Sequence, residues 1–105
     1  MKNPLYLLEF GPVIEQVLEQ ISVQERLEKI IHEYAQASGL EIDSCDILTD
    51  YIAVTFYLHE AVDVDAVIIN LKKHSSEELV KELPEFKKFI VHDSLWEYGY
   101  NIETL

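Results

Sequence analysis

Few residues in this chain have types and spacing that could support catalysis. The four histidines are spread along the sequence: His32 lies in a predicted helix, His59 at a strand end, His74 at a helix junction and His92 in a loop. We expect His32 to be exposed without a role. Cys45 is the single cysteine, and we expect it to be a small hydrophobic residue in a strand rather than a reactive thiol.

The tyrosines are the other residues that could act as nucleophiles. A phenol has a pKa of about 10, so it needs a neighbouring base or metal ion to attack a phosphate at neutral pH. Tyr51 follows Asp50, but one carboxylate does not make a metal site. We therefore interpret Tyr51 as a packing residue. Tyr98 and Tyr100 are predicted to fill the core or an interface. The residue types by themselves therefore indicate no assembled catalytic centre.

The overall charge argues against a strong grip on nucleic acid. The chain has 20 acidic residues against 8 lysines and arginines, for a net charge of −12, whereas DNA-binding proteins neutralise phosphates with basic side chains. Most of the charged residues are expected to form solvated faces that keep the protein soluble. The candidate phosphate contacts are four lysines of a locally richer segment: Lys72, Lys73, Lys87 and Lys88.

The elements that must position these residues form one domain of 105 residues. The predicted order is βαββαβ, which is an α+β, ferredoxin-like sandwich with an antiparallel sheet and helices on one face. We predict strands at 5–10, 40–48, 51–58 and 96–102, a helix at 23–38, a second helix that Asp63 caps, and a short third helix that begins at the Ser75–Ser76 pair and ends at Pro84. A lapse in alternation between Ile42 and Cys45 predicts a β-bulge. The sequence shows no membrane span and no secretory signal, and its single cysteine suits a reducing cytoplasm.

The strand at 51–58 organises the domain. Its alternation places Ile52, Val54, Phe56 and Leu58 on one strongly apolar face. The less apolar residues, which begin with Tyr51 and Ala53, lie on the other face. We therefore predict a central strand whose less apolar face carries any functional site.

Three local patterns resemble the single-tyrosine transposases of small bacterial insertion sequences, the insertion-sequence-200/605 type of the His-hydrophobic-His superfamily. Together they cover about residues 30–105. The first pattern runs from residues 38–42 into 48–50 and the central strand. The second covers residues 71–79 and continues through 83–86. The third consists of residues 95–96, 99–100 and 104.

The resemblance implies an enzyme that cuts and rejoins single-stranded DNA at imperfect hairpins through a covalent 5′-phosphotyrosine. In the family, two histidines at positions i and i+2 of the central strand hold a Mg²⁺ or Mn²⁺ ion that polarises the phosphate. Tyr51 and Ala53 occupy those two positions here, and neither is a metal ligand of that kind. His59 is about 20 Å of strand away from Ala53, too far to substitute. We also expect the chain to lack the family's C-terminal helix, which bears the nucleophilic tyrosine.

Three hypotheses follow from these observations. The first is a transposase-like protein without catalysis or cofactor, a homodimeric binding or regulatory module whose strands 40–48 and 51–58 support the dimer. An intact transposase is the other candidate protein partner. The second is an active, metal-dependent DNA-nicking transposase that uses unrecognised substitutes. The third is a regulator that binds single-stranded hairpin DNA weakly through the four lysines, with no chemistry and no membrane partner.

Overall fold

The computed structural model describes residues 4–58 and 63–105. In chain order these residues form β1 (Leu5–Phe10), α1 (Ile21–Ser38), β2 (Leu40–Ile47), β3 (Ile52–Leu58), α2 (Val64–Glu82) and β4 (Asn101–Thr104), with short 3₁₀ helices at Glu15–Leu18 and Pro84–Phe89. The strands form one antiparallel sheet in the order β2-β3-β1-β4. This arrangement confirms the predicted α+β, ferredoxin-like class.

Strand β3 lies inside the sheet, hydrogen-bonded to β1 on one side and to β2 on the other. The four apolar residues predicted for its inner face are at most 6% exposed. They pack with Leu8 and Phe10 of β1 and with the apolar faces of both helices, so both helices cover one face of the sheet. The predicted end of this strand at His59 and Glu60 lies outside the described residues.

Helix α1 ends as the sequence predicts and begins earlier. Gly39 terminates it with φ of 73°, a left-handed conformation that glycine adopts without strain. The predicted capping box at residues 22–25 is wrong, because the helix already starts at Ile21 and Gln20 makes no side-chain cap. The Gln24 side chain instead donates to the Leu18 carbonyl, at 2.8 Å.

Strand β2 contains the predicted bulge. The register against β3 shifts between Ile42 and Ser44. A residue three positions after Ile42 would normally point to the opposite face. The extra residue instead brings Cys45 opposite Val54, a core residue, so that the Cys45 side chain lies on the helix side of the sheet.

Helix α2 is a single helix of 19 residues, so the predicted break at Ser75–Ser76 is wrong. Asp63 caps its N-terminus by accepting a hydrogen bond from the Asp65 amide, as predicted. The two serines lie in the helix interior and are 0% and 3% exposed. Their hydroxyls bond to partners inside the protein rather than capping a new helix.

The chain before β4 is irregular, so the predicted strand at 96–102 is only partly correct. Regular pairing begins at Asn101, whereas Trp96 makes one isolated bridge to Pro12. Within the described part of the chain, no helix combines the length and apolar character needed to cross a membrane.

Candidate active-site face

The face of the sheet away from the helices carries the less apolar residues of β3. Ala53, Thr55 and Tyr57 alternate with the buried residues of this strand and are partly exposed. Tyr51 precedes the strand and is 38% exposed. Its carbonyl accepts a hydrogen bond from the Leu48 amide at 2.9 Å, which closes the turn from β2. Tyr51 and Ala53 are therefore accessible from the same side of the sheet.

A cleft of about 520 Å³ opens next to Tyr51, where the end of β1 meets the chain that enters β4. Three carboxylate side chains line it, those of Glu9, Asp50 and Glu97, and none of the described lining residues is basic. Gly11 allows the close approach of backbones at its floor, because a Cβ there would lie 2.9 Å from the Asp50 carbonyl oxygen. Clustered carboxylates repel a phosphate, so the cleft suits a cationic or neutral group better than a nucleic-acid backbone.

One wall of this cleft is held in place by Lys72 of α2. The Lys72 ammonium donates to the carbonyls of Glu97, Tyr98 and Gly99 at 2.6, 3.1 and 2.9 Å. The side chain is 8% exposed and its Nζ lies 5.6 Å from the centre of the Tyr100 ring. Burial lowers the pKa of Lys72, and the neighbouring Glu97 carboxylate opposes that shift. This geometry indicates that Lys72 stabilises the fold, whereas we had predicted that it contacts DNA.

The two buried serines of α2 fix the segment just before the cleft. Ser75 accepts a hydrogen bond from the Trp96 indole at 3.0 Å and donates to the Lys72 carbonyl at 3.1 Å. Ser76 accepts a hydrogen bond from the Leu95 amide at 2.9 Å. Lys72, Ser75 and Ser76 are three and four residues apart and so share one face of the helix. That spacing was the available sequence signal, and our interpretation of the serines as a helix cap missed it.

The chain's relationship to known proteins agrees with this architecture. The profile of the family described as "Transposase IS200 like" matches residues 14–105, which is most of the sequence. The chain belongs to the IS200-like transposase family. The family proposed from the three sequence patterns is thereby confirmed. Comparison with curated proteins gives no match.

Two solved structures share the fold of this IS200-like domain. One is a candidate transposase from Deinococcus radiodurans R1, with a TM-score of 0.89 and 19% identity over all of this chain and 81% of that one. The other is a REP-associated tyrosine transposase bound to a REP hairpin, with a TM-score of 0.69 and 11% identity over all of this chain and 58% of that one. At these identities the likeness concerns the fold, and activity has to be argued from the site itself.

The described histidines of the IS200-like domain lie away from Tyr51 and Ala53. His32 belongs to α1, and the His74 ring of α2 lies 5.2 Å from the Tyr34 ring; both helices cover the opposite face of the sheet. His92 lies in a tight turn, with φ of 52°. None of the three lines the cleft. The prediction that His59 cannot substitute concerns a residue outside the described part of the chain.

The two tyrosines near the cleft have different environments. Tyr100 packs against the hydrophobic core, as predicted. Tyr98 is 100% exposed, so it fills no part of the core of this chain. The Tyr100 hydroxyl donates to Asp65 at 2.5 Å, a contact that the sequence did not suggest. This hydrogen bond, together with burial and the charges of Asp65 and Asp63, raises the pKa of Tyr100. The carboxylate therefore disfavours the phenolate that a nucleophilic tyrosine must form.

The remaining candidate DNA contacts are Lys73, Lys87 and Lys88, whose side chains are exposed. Lys73 lies on α2, and the other two belong to the 3₁₀ helix that follows it. The Lys88 Nζ lies 5.2 Å from the centre of the Phe89 ring. None of these lysines lines the acidic cleft, so the exposed basic side chains and the candidate active-site cleft occupy separate surfaces.

Proposed function

We propose that this IS200-like domain does not cleave DNA and acts as a dimeric binding or regulatory module. The observation that carries the proposal is the chemistry of the open face, where Tyr51 and Ala53 occupy the positions that the resemblance assigns to two metal-binding histidines. Alanine has no ligand atom, and a neutral phenol is a poor ligand for Mg²⁺ or Mn²⁺.

The acidic residues of the cleft do not replace the missing pair. Glu9, Asp50 and Glu97 all line it, but within residues 4–58 and 63–105 their oxygens form no group of three ligand atoms within 4.8 Å of one another. No described residue that lines the cleft is basic, so without a metal ion this lining offers no positive charge to a phosphate under attack. The Tyr100 hydroxyl is hydrogen-bonded to Asp65 and its pKa is raised, so the free phenolate is disfavoured at this position.

The sheet edges decide which strands are able to support a dimer. Strand β3 is paired on both sides, so the part of the dimer prediction that relied on residues 51–58 is wrong. Strand β2 is an edge strand, and an edge exposes backbone donors and acceptors that a second chain can pair with. It also carries Glu41, Asp43 and Asp46, so a homodimer through β2 brings like charges together.

This charge distribution gives the dimer a distinctive test. Salt screens repulsion between exposed charges, so a dimer formed through β2 should become tighter from low to moderate salt. Light scattering at micromolar concentration measures the mass at each salt concentration. A monomer throughout this range would refute the dimer, and a dimer that weakens with salt would refute pairing through β2. Pairing with an intact transposase is the heteromeric form of the same proposal.

The absence of a family-type metal centre has its own experiment. We would add Mn²⁺ to the protein and follow paramagnetic broadening of the amide signals of residues 50–55. No selective broadening is expected in the natural protein. The double variant Tyr51→His with Ala53→His places two imidazoles on one strand face, about 7 Å apart along the backbone, and should gain broadening there. Selective broadening of this region that persists when Cys45, which lies opposite Val54, is replaced by serine would contradict the proposal.

A second candidate function is weak binding of hairpin DNA. It is favoured by the three exposed lysines and by the REP hairpin bound to one protein of the same fold. Three phosphate contacts limit the slope of log K against log salt to about −2 to −3. Binding that disappears in the triple variant Lys73→Gln, Lys87→Gln and Lys88→Gln, with this slope, would support it. Undetectable binding at low salt would eliminate it.

A further inference from the structure

A separate group of side chains converges where α1 packs against the edge strand β2. The group consists of Glu28, His32 and Cys45, each of which offers one potential ligand atom, and these atoms all lie within 4.8 Å of one another. It lies on the helix-covered face of the sheet, whereas Tyr51 and Ala53 lie on the open face. It is therefore distinct from the position of the family's metal-binding pair.

Two local features of the fold create this convergence. Glu28 and His32 are four residues apart in α1, so their side chains lie one above the other on one side of the helix. The bulge in β2 turns Cys45 from the open face to the helix face, opposite Val54. A regular strand would carry the thiol away from α1. The bulge thus has a chemical consequence beyond its effect on strand pairing.

We infer that Glu28, His32 and Cys45 form a site for a divalent metal ion of the Zn²⁺ type. Thiolate, imidazole and carboxylate are the ligand types that Zn²⁺ takes, with bonds of about 2.0–2.3 Å. Tetrahedral coordination at those lengths separates ligand atoms by roughly 3.3–3.8 Å. Closing from 4.8 Å is a movement of at most about 1.5 Å, within reach of rotamer changes in two exposed side chains.

The ligand set also argues for Zn²⁺ over the ions of the transposase family. Mg²⁺ and Mn²⁺ are hard ions that favour oxygen ligands and bind a thiolate poorly, whereas a soft sulfur ligand favours Zn²⁺. The three protein ligands leave a fourth position for water or another ligand. Binding replaces the proton of the Cys45 thiol by the metal, so that one proton is released for each ion bound. A bound ion ties α1 to the edge strand β2.

Co²⁺ is a suitable spectroscopic probe for this site. Added to the full, reduced chain, Co²⁺ should bind one ion per chain, give a thiolate-to-metal charge-transfer band in the near ultraviolet, and be displaced by Zn²⁺. The variants Cys45→Ser and His32→Gln should weaken Zn²⁺ binding by more than about 100-fold. Cys45→Ser should also abolish the charge-transfer band, which a purely structural effect would not remove selectively.

Matched controls separate the site from general attraction of cations to an acidic protein. Glu33→Gln removes the same charge as Glu28→Gln from the same helix, and His74→Gln removes a histidine from the other helix; both should bind Zn²⁺ as the natural protein does. Tryptophan fluorescence checks the folding of each variant. Equal binding by His32→Gln and the controls, a Co²⁺ complex without the thiolate band, or no stoichiometric binding would each overturn the inference.

Discussion

Replacing Lys72 by methionine tests whether this lysine stabilises the fold or contacts DNA. Methionine keeps a flexible side chain of similar length and removes the ammonium. Three hydrogen bonds from the ammonium are lost, each worth about 1.5–3 kcal/mol when the donor is charged. Their sum, roughly 4.5–9 kcal/mol, is an upper limit on the loss of stability.

Two effects lower this limit. Glu97, Tyr98 and Gly99 are exposed residues, so their carbonyls can regain hydrogen bonds from water. Burial disfavours the ammonium itself, as the lowered pKa of Lys72 indicates, and the substitution relieves that cost. We therefore expect Lys72→Met to lower the free energy of unfolding by about 2 kcal/mol, which corresponds to a fall in Tm of about 8–16 °C.

Urea unfolding followed by the fluorescence of Trp96 measures this change, because Trp96 is the single tryptophan and is 1% exposed. Lys73→Met is the matched control, since Lys73 is the adjacent residue and is exposed; its effect should stay within about 0.5 kcal/mol. A Lys72→Met protein as stable as the natural one would refute the structural role. Loss of hairpin binding at unchanged stability would restore Lys72 as a DNA contact.

Three further predictions concern the core, the thiol and the cleft. Ser75→Ala leaves the buried indole of Trp96 without an acceptor and should cost about 1–3 kcal/mol in urea unfolding; no loss would mean that the indole finds another acceptor. Burial and nearby carboxylates raise the pKa of Cys45 from 9.0 to about 12. Compared with a thiol of pKa 9.0, the thiolate fraction at pH 8 is about 1000-fold smaller. The more basic thiolate is a better nucleophile, which offsets roughly 20-fold of this loss in rate. Without metal, Cys45 should therefore exchange with an aromatic disulfide about 50-fold more slowly in the native chain than in urea, and equal rates would contradict the shift. In urea unfolding, Gly11→Ala should destabilise the protein by about 1–3 kcal/mol, because its Cβ would overlap a backbone carbonyl. Gly99→Ala, with open space around it, should not.

Local sequence signals predicted the elements that depend on local physics. Alternation identified β3, Gly39 marked the end of α1, and Asp63 marked the start of α2. The phase change in β2 predicted its bulge. Each of these features depends on side-chain periodicity or on backbone conformation within a few residues, which a single sequence displays directly.

The incorrect predictions concern residues whose partners are distant in sequence. A pair of serines is typical of a helix N-terminus, but Ser75 and Ser76 bond to Trp96 and Leu95, about twenty residues later. Lys72 was predicted to be an exposed cation, but its ammonium donates to the carbonyls of residues 97–99, which lie 25–27 residues later in the chain. The convergence of Glu28, His32 and Cys45 depends on both the direction of the bulge and the packing of α1. Neither is visible in the sequence around any one of these residues.

The most direct test of the proposed loss of catalysis is a cleavage assay on labelled single-stranded DNA hairpins with Mg²⁺ or Mn²⁺. Covalent attachment of DNA to the protein is read on denaturing gels. The proposal predicts neither cleavage nor a covalent adduct with either ion. Cleavage accompanied by an adduct that disappears in Tyr51→Phe or Tyr100→Phe would contradict it and establish an active tyrosine transposase.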